Sequence, residues 1–305
     1  MTIARRGFLV AAGTLASGLP APFAVAETAP LLERPIPSTG ETVPAIGLGT
    51  AGGGYESAGS DEALAPLRET IRTFAAGGGR VIDTASTYGD AERAIGRITS
   101  ELAPAPPMFL ATKVDAAGRA SGNEQIEQSF HDLRTSRIDL IAVHNLRDTA
   151  TQLATLRELK RAGRIRYVGV TTSYESQHAA LAELMRRETL DFVQIDFALD
   201  NRDAAERILP LAQERGMAVM INLPLGRGRL FRAVRGKPLP DWAAAFDCHS
   251  WAQFFLKYIL SFTVVTCAIP GMSKPEHVTD NLAAARGRLP DEATRRRMET
   301  YIDGV

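Results

Sequence analysis

The sequence predicts an α/β fold: a (β/α)8 TIM barrel with a short N-terminal β-hairpin. Three observations predict it. Short apolar, β-branched runs recur eight times, helical periodicity fills the intervals, and glycine-containing stops end several helices just before the next run. Composition agrees, since 45% of the 305 residues are hydrophobic and 23% charged, as in an ordinary soluble globular chain. A chain of this length can bury a substantial core. The balance of 35 basic and 35 acidic residues argues against nucleic acid as a partner, because phosphate binding usually leaves a basic excess. Two cysteines, Cys248 and Cys267, are too few to organise the fold through disulfides, and both are expected as free thiols.

Residues 1–26 read as an address. Arg5-Arg6 precede Phe8-Leu9, then a weakly apolar stretch broken by Gly13, Gly18 and Pro20, then Ala24-Val25-Ala26. That last triplet is the small-x-small pattern of a signal-peptidase site. The segment resembles a twin-arginine signal peptide. The resemblance implies the twin-arginine translocation machinery as a partner during export, cleavage after Ala26, and a periplasmic mature chain. A Sec signal or a membrane anchor is the alternative, but the run is short and rich in Gly and Pro for a bilayer span. The run 254–262 contains Lys257 and is also too short, so no stable membrane insertion is expected after cleavage.

Residues 27–305 read as one domain with no low-complexity linker. A hairpin is expected at 36–43. Strands are expected at 45–49, 80–83, 108–113, 139–144, 165–170, 192–196, 218–222 and 264–269. Between them, Leu153, Leu156 and Leu159, and then Leu181, Leu184 and Met185, follow helical spacing. Glycines at 77–79, 163 and 216 mark helix ends. Such alternation means parallel βαβ units, and eight of them close most economically as a barrel. A doubly wound sheet is the alternative. It wants a Gly-x-Gly-x-x-Gly turn after its first strand, and Gly47-x-Gly49 lacks the third glycine.

In such a barrel the C-terminal ends of the strands carry function. The second strand ends at Asp83, with Tyr88 in the loop beyond. The third ends at Lys113 and the fourth at His144. Singly, each has an ordinary explanation: a turn cap, a rim aromatic, a solvated strand end, a core histidine. Together they suit one task. A buried lysine needs a carboxylate partner, which Asp83 can supply. Its ammonium favours ionisation of a nearby tyrosine, whose reference pKa is about 10. A tyrosine so tuned is a general acid near neutral pH.

The segments Val81-Ile82-Asp83-Thr84-Ala85-x-x-Tyr88-Gly89, Ala111-Thr112-Lys113, Val143-His144-Asn145 and Ile269-Pro270-Gly271 resemble the aldo/keto reductases. So do the runs 163–170 and 222–226. The resemblance extends in order from about residue 41 to 282. It implies reduction of an aldehyde or ketone by a nicotinamide cofactor bound without a Rossmann domain. Tyr88 would protonate the carbonyl oxygen, Lys113 and Asp83 would tune it, and His144 would orient the carbonyl. Gly49, Thr50 and Gln194 would contact the cofactor. Thr171 and Thr172 stand where the family usually has Ser and Asn, and Asn222 stands where it often stacks a tyrosine on the nicotinamide. Ser273 and Lys274 would replace the usual cations at the 2′-phosphate, with Asp280 and Asn281 on the adenine side. NADP(H) is favoured over NAD(H).

The run 226–237 carries Arg227, Arg229, Arg232, Arg235 and Lys237. It reads either as a solvated basic face or as a cover for the cofactor pyrophosphate, with Leu225, Gly226 and Arg227 in contact. The five histidines show no HxH or HxxxH spacing, so no metal is expected. Two other readings stand beside the reductase: a cofactor-binding regulatory module with little turnover, and a barrel lyase or hydrolase without nicotinamide. The short stretch beyond Pro270 leads us to expect an open site with weak substrate selectivity.

Overall fold

The computed structural model describes residues 29–102 and 108–305. The expected signal segment lies outside the described residues. An antiparallel hairpin pairs β1 (Glu33–Pro35) with β2 (Thr42–Pro44), Glu33 opposite Pro44. The Ile36 amide closes its turn by donating to the Glu41 carbonyl over 2.7 Å. The expected hairpin at 36–43 is therefore mainly turn, because Pro37 cannot donate to a ladder and the first strand ends before it.

Eight parallel strands follow: β3 (Leu48–Gly49), β4 (Val81–Asp83), β5 (Phe109–Val114), β6 (Ile138–His144), β7 (Ile165–Thr172), β8 (Phe192–Asp196), β9 (Ala218–Asn222) and β10 (Val265–Ala268). They pair in sequence order. Bridges between Ile46 and Ala268 and between Gly49 and Gly271 close the seam. The seam is tight there, since a Cβ on Gly47 would sit 2.6 Å from Ile269 Cδ1 and 3.1 Å from Val81 Cβ. The arrangement is the (β/α)8 barrel with its N-terminal hairpin.

Helices α1 (Asp61–Ala76), α2 (Ala91–Glu101), α3 (Arg119–Asp132), α4 (Thr149–Arg161), α5 (His178–Arg187) and α6 (Asp203–Glu214) cross between successive strands. A short α7 (Arg229–Ala233) and α8 (Trp251–Leu260) precede β10, and α9 (Pro275–Ala283) and α10 (Glu292–Asp303) follow it. Helix α1 shows the local logic. The Ser60 hydroxyl accepts from the Ala63 amide as its cap, and Leu64, Leu67, Ile71 and Phe74 form its buried stripe. Most of the apolar run 254–262 lies in α8, where the Lys257 ammonium donates to the carbonyls of Arg286 (2.6 Å) and Arg288 (2.9 Å). No helix among the described residues is long and apolar enough to cross a membrane.

Two apolar clusters result. One lies between the barrel and its helices. The other fills the barrel's interior, where Ile36 and Val43 of the hairpin region meet Val81, Phe109, Tyr167 and Cys267. The hairpin therefore plugs the N-terminal mouth, and the Tyr167 hydroxyl donates to Glu41 there over 2.7 Å. The opposite mouth is left for chemistry.

The cysteines are both free and buried, Cys267 in the interior cluster and Cys248 in the outer one. Burial pushes the Cys248 thiol up to about 11 and raises that of Cys267 as well. Iodoacetamide should therefore label neither in the native protein, and both in denaturant without reductant. A mass increase that required prior reduction would contradict this.

Candidate active site

Parallel register sets the rim of the open mouth. Asp83 on β4 lies opposite Gly49 and Ala111, and Lys113 on β5 opposite Ala142. His144 lies opposite Thr171, Thr171 opposite Gln194, and Asp196 opposite Asn222. A cleft of about 560 Å³ opens over these strand ends.

Lys113 is the site's buried cation. Its Nζ donates to Asp83 Oδ2 over 2.8 Å and to the Thr84 carbonyl over 2.6 Å. Lys113 is 3% exposed and Asp83 7%. Burial by itself would lower the proton affinity of the ammonium. The Asp83 carboxylate, helped by Tyr88 and Glu92, more than offsets it, so Lys113 is held above the ordinary lysine value and stays charged.

Tyr88 is presented by a tight loop. Its amide donates to the Ala85 carbonyl over 3.0 Å, and its own carbonyl accepts from Ala91 at the start of α2 over 3.0 Å. Gly89 follows with φ of 56°, and a Cβ there would lie 2.4 Å from the Glu56 carbonyl oxygen, so only glycine fits. The Lys113 ammonium lies 5.2 Å from the centre of the Tyr88 ring. The His144 ring meets the Tyr88 ring edge to face, centroids 6.3 Å apart.

His144 Nδ1 lies 3.1 Å from Asp115 Oδ2, sealed from solvent, although the angle is not that of a formed hydrogen bond. Burial lowers the proton affinity of the ring, Lys113 lowers it further, and Asp115 and Asp83 oppose both.

The cleft floor suits an amide. The Thr171 hydroxyl donates to Gln194 Oε1 over 2.8 Å, and the Gln194 amide nitrogen makes no hydrogen bond among the described residues. Asn222 donates to the Thr172 carbonyl over 3.2 Å, while its buried Oδ1 has no partner. One unspent donor and one orphaned acceptor match the two ends of a carboxamide, so these residues fit a nicotinamide. Among the described residues, no group of three or more His, Cys, Asp or Glu could hold a metal ion.

The structure gathers most of the expected residues. Asp83, Tyr88, Lys113 and His144 all line the cleft. So do Gly49, Thr50, Thr171, Gln194, Asn222, Leu225 and Arg227. Others are placed differently. The Thr172 hydroxyl is turned to Gln177 Oε1 at 2.6 Å and lies outside the cleft wall. Both Asp280 oxygens hold the start of α8, one accepting from Ser250 and one from Gln253, each over 2.8 Å. The expected adenine-side carboxylate thus also anchors the start of α8. Asn281 is buried, Lys274 is exposed beyond the cleft, Ser273 lies against Gly53, and Gly226 is buried behind Leu225.

Sequence reasoning missed Asp115, Asn145, Ser173, Tyr174, Leu223 and Pro224. Asp115 had a readable signal, an acid two positions beyond Lys113 on the same strand line. Tyr174, 52% exposed on the cleft wall, had none, because loop residues carry no periodicity.

The Aldo/keto reductase family model matches residues 45–301. The Bacillus subtilis aldo-keto reductase YhdN is 32% identical over 214 residues, covering 64% of this chain and 62% of that protein. The Escherichia coli NADH-specific methylglyoxal reductase is 24% identical, covering 84% of this chain and 94% of that protein. A Klebsiella pneumoniae aldo/keto reductase solved with NADP and acetate is 27% identical with a TM-score of 0.70, covering 86% of this chain and 93% of that one.

The buried pair generates a stability prediction. Asp83→Asn leaves a buried ammonium with a carbonyl as its main partner. Breaking a buried pair from one side typically costs about 3–5 kcal/mol. Urea unfolding of the variant should show a loss on that order. A loss below about 1 kcal/mol would mean that the pair is dispensable.

Proposed function

The chain belongs to the aldo/keto reductase family, and on that premise we propose that it reduces an aldehyde or ketone with a nicotinamide cofactor, Tyr88 giving the proton. One observation carries the reading most: a buried Lys113–Asp83 pair beneath Tyr88, facing an amide-binding floor across the same cleft. When bound, a reduced nicotinamide supplies hydride to the carbonyl carbon.

This chain's own residues do the rest. Gln194, Thr171 and Asn222 hold the carboxamide and so orient the ring. Tyr88 delivers its hydroxyl proton to the carbonyl oxygen as negative charge develops there. The Lys113 ammonium stabilises the tyrosinate left behind, and Asp83 keeps that ammonium charged and fixed. His144 packs edge to face against Tyr88, from where it would reach the same oxygen. Arg227 lines the cleft and makes no ion pair among the described residues, so its guanidinium is free for a phosphate. The NADP in the Klebsiella relative favours NADP(H). The Escherichia coli relative named NADH-specific keeps NAD(H) as the alternative.

Tyr88→Phe tests the reading. It should bind NADPH in a fluorescence titration much as the unaltered protein does. Its turnover of 4-nitrobenzaldehyde should fall by roughly 10²–10⁴-fold or more, the usual scale of general acid catalysis. Activity kept within a few-fold would remove Tyr88 from the proposed role. Absent NADPH binding in the unaltered protein would favour a lyase or hydrolase.

We also propose that residues 1–26 export residues 27–305, one barrel domain, to the periplasm through the twin-arginine route. The motif Arg5-Arg6-x-Phe8-Leu9 supports it. That route moves folded proteins, so a cofactor bound in the cytoplasm would travel with the barrel and stabilise it. Replacing Arg5-Arg6 with Lys-Lys should trap the precursor in the cytoplasm. Undiminished export of that variant would overturn the route.

A further inference from the structure

The loop leaving β6 is built against backbone preference. Asn145, Leu146 and Asp148 all have positive φ, at 48°, 56° and 46°, in a stretch of four residues that contains no glycine. Such left-handed conformations persist in ordinary residues only where the surroundings impose them. The surroundings are visible. Asp148 accepts from the Gly118 amide over 2.7 Å and from the Thr151 hydroxyl over 2.8 Å. The Asn145 carbonyl accepts from Gln177 over 3.2 Å. The turn folds Arg147 back, its amide donating to the His144 carbonyl over 3.0 Å. It thereby delivers the Arg147 guanidinium to Asp115 Oδ1 at 3.1 Å. The other oxygen of that carboxylate, Oδ2, is the one 3.1 Å from His144 Nδ1.

We propose that Asp115 is a positioning residue that keeps a proton on Nδ1 of His144, and that Arg147 sets how much of the carboxylate's charge the ring feels. Nδ1 is sealed from solvent and lies 3.1 Å from a carboxylate oxygen, so a proton on Nδ1 faces the one acceptor within reach, whereas a bare nitrogen there would set its lone pair against a negative charge. Nε2 then becomes the one ring nitrogen that gains or loses a proton at the cleft. With the proton it donates a hydrogen bond to a carbonyl oxygen. Without it, Nε2 accepts from a hydroxyl. This consequence rests on the reductase reading. The tautomer itself does not.

Every ionisable group facing the ring enters the balance. From β5 comes Lys113, from just beyond that strand Asp115, from β4 Asp83, from the loop beyond β4 Tyr88, and from the ring's own loop Arg147. On its other side, β7 offers Thr171, which does not titrate in this range. Lys113 disfavours the imidazolium and Asp115 favours it. Arg147 counts against it indirectly, by neutralising part of Asp115.

These signs make the test sharp. Protein with ¹⁵N-labelled histidine, prepared without cofactor, is titrated by NMR, and His144→Gln identifies the resonance among the five histidines. The unaltered protein should show His144 as the Nδ1–H tautomer when neutral. Asp115→Leu should lose that preference. Asp115→Asn keeps an acceptor for Nδ1–H but no charge, so it should keep the tautomer and lower the pKa by roughly 1 unit or more. Arg147→Met, at a side chain 57% exposed, should move the pKa the opposite way, upward. The pH limb of kcat/KM for carbonyl reduction should follow each shift.

A merely structural role would not produce opposite signs from two partners of one ion pair. An unchanged tautomer and pKa in Asp115→Leu would overturn the proposal, as would a shift in the same direction for Asp115→Asn and Arg147→Met. If Asp115→Leu fails to fold, the Asn and Met variants decide it. If the expected NMR shifts appear in a protein that turns over no carbonyl, the reductase reading fails and the role of Asp115 stands.

Discussion

The Lys113 ammonium is held away from water by one carboxylate oxygen and one backbone carbonyl, 2.8 and 2.6 Å away. A charge so deeply placed survives only with such partners. The partners fix the geometry around it. Asp83 must end the neighbouring strand, so β4 and β5 must be adjacent and parallel. The Thr84 carbonyl must turn inward, which starts the loop that presents Tyr88. The ammonium also sets the field in which His144 titrates. A tyrosine, a histidine and a carboxylate are thus organised by one cation that cannot be moved without unmaking the pair.

The barrel keeps that charge at one end. Its interior between the mouths is apolar, with Phe109, Tyr167 and Phe192 in mutual ring contact. The hairpin turn, Ile36 and Val43 close the N-terminal mouth, and the polar groups there satisfy one another, as Tyr167 and Glu41 do. The C-terminal mouth has the opposite character. Its polar atoms are fixed on strands, yet Asn222 Oδ1 is left without a partner. A buried acceptor without a donor costs free energy in the free protein. A donor brought into the cleft would satisfy it.

The strands and the catalytic-type side chains were legible for one reason: both lie on regular elements. The runs 192–196 and 218–222 coincide with β8 and β9 to the residue, because apolar strands bounded by glycine or polar stops leave little choice of register. Asp83, Lys113 and His144 are strand ends, so counting strands placed them together. What the structure places differently lies where side chains have competing partners. Thr172 stands on a strand end, yet Gln177 five residues on claims its hydroxyl. Asp280 lies on α9, but Ser250 and Gln253 at the start of α8 use both its oxygens. Such competition is a matter of tertiary approach, and a sequence of residue types does not state who arrives first. Asp115, two positions beyond Lys113, could have been read; Arg147 could not, because the turn that brings it back to Asp115 uses left-handed residues that no glycine announces.

The distribution of strain follows the same division. Among the described residues, seven non-glycine positions have positive φ, and five of them lie in the two loops leaving β6 and β9: Asn145, Leu146, Asp148, Leu223 and Arg227. Each costs roughly 1–2 kcal/mol against a relaxed backbone. The barrel strands carry none. Two loops on one rim therefore hold most of the backbone strain, and each carries an arginine, Arg147 in the first and Arg227 in the second. The first is tied by Asp148, Gln177 and the Arg147–Asp115 pair. The second is tied by Asp200, whose carboxylate accepts from Arg229 over 2.9 Å. Strain that is tied so specifically is fixed in place rather than relieved, and a regular scaffold is what makes that affordable. The β6 loop spends its strain on steering a carboxylate against one histidine nitrogen. The β9 loop spends its strain on holding Arg227, a cation without an ion partner among the described residues, at the cleft wall. In both loops the backbone departs from its preferences where a charge has to be aimed.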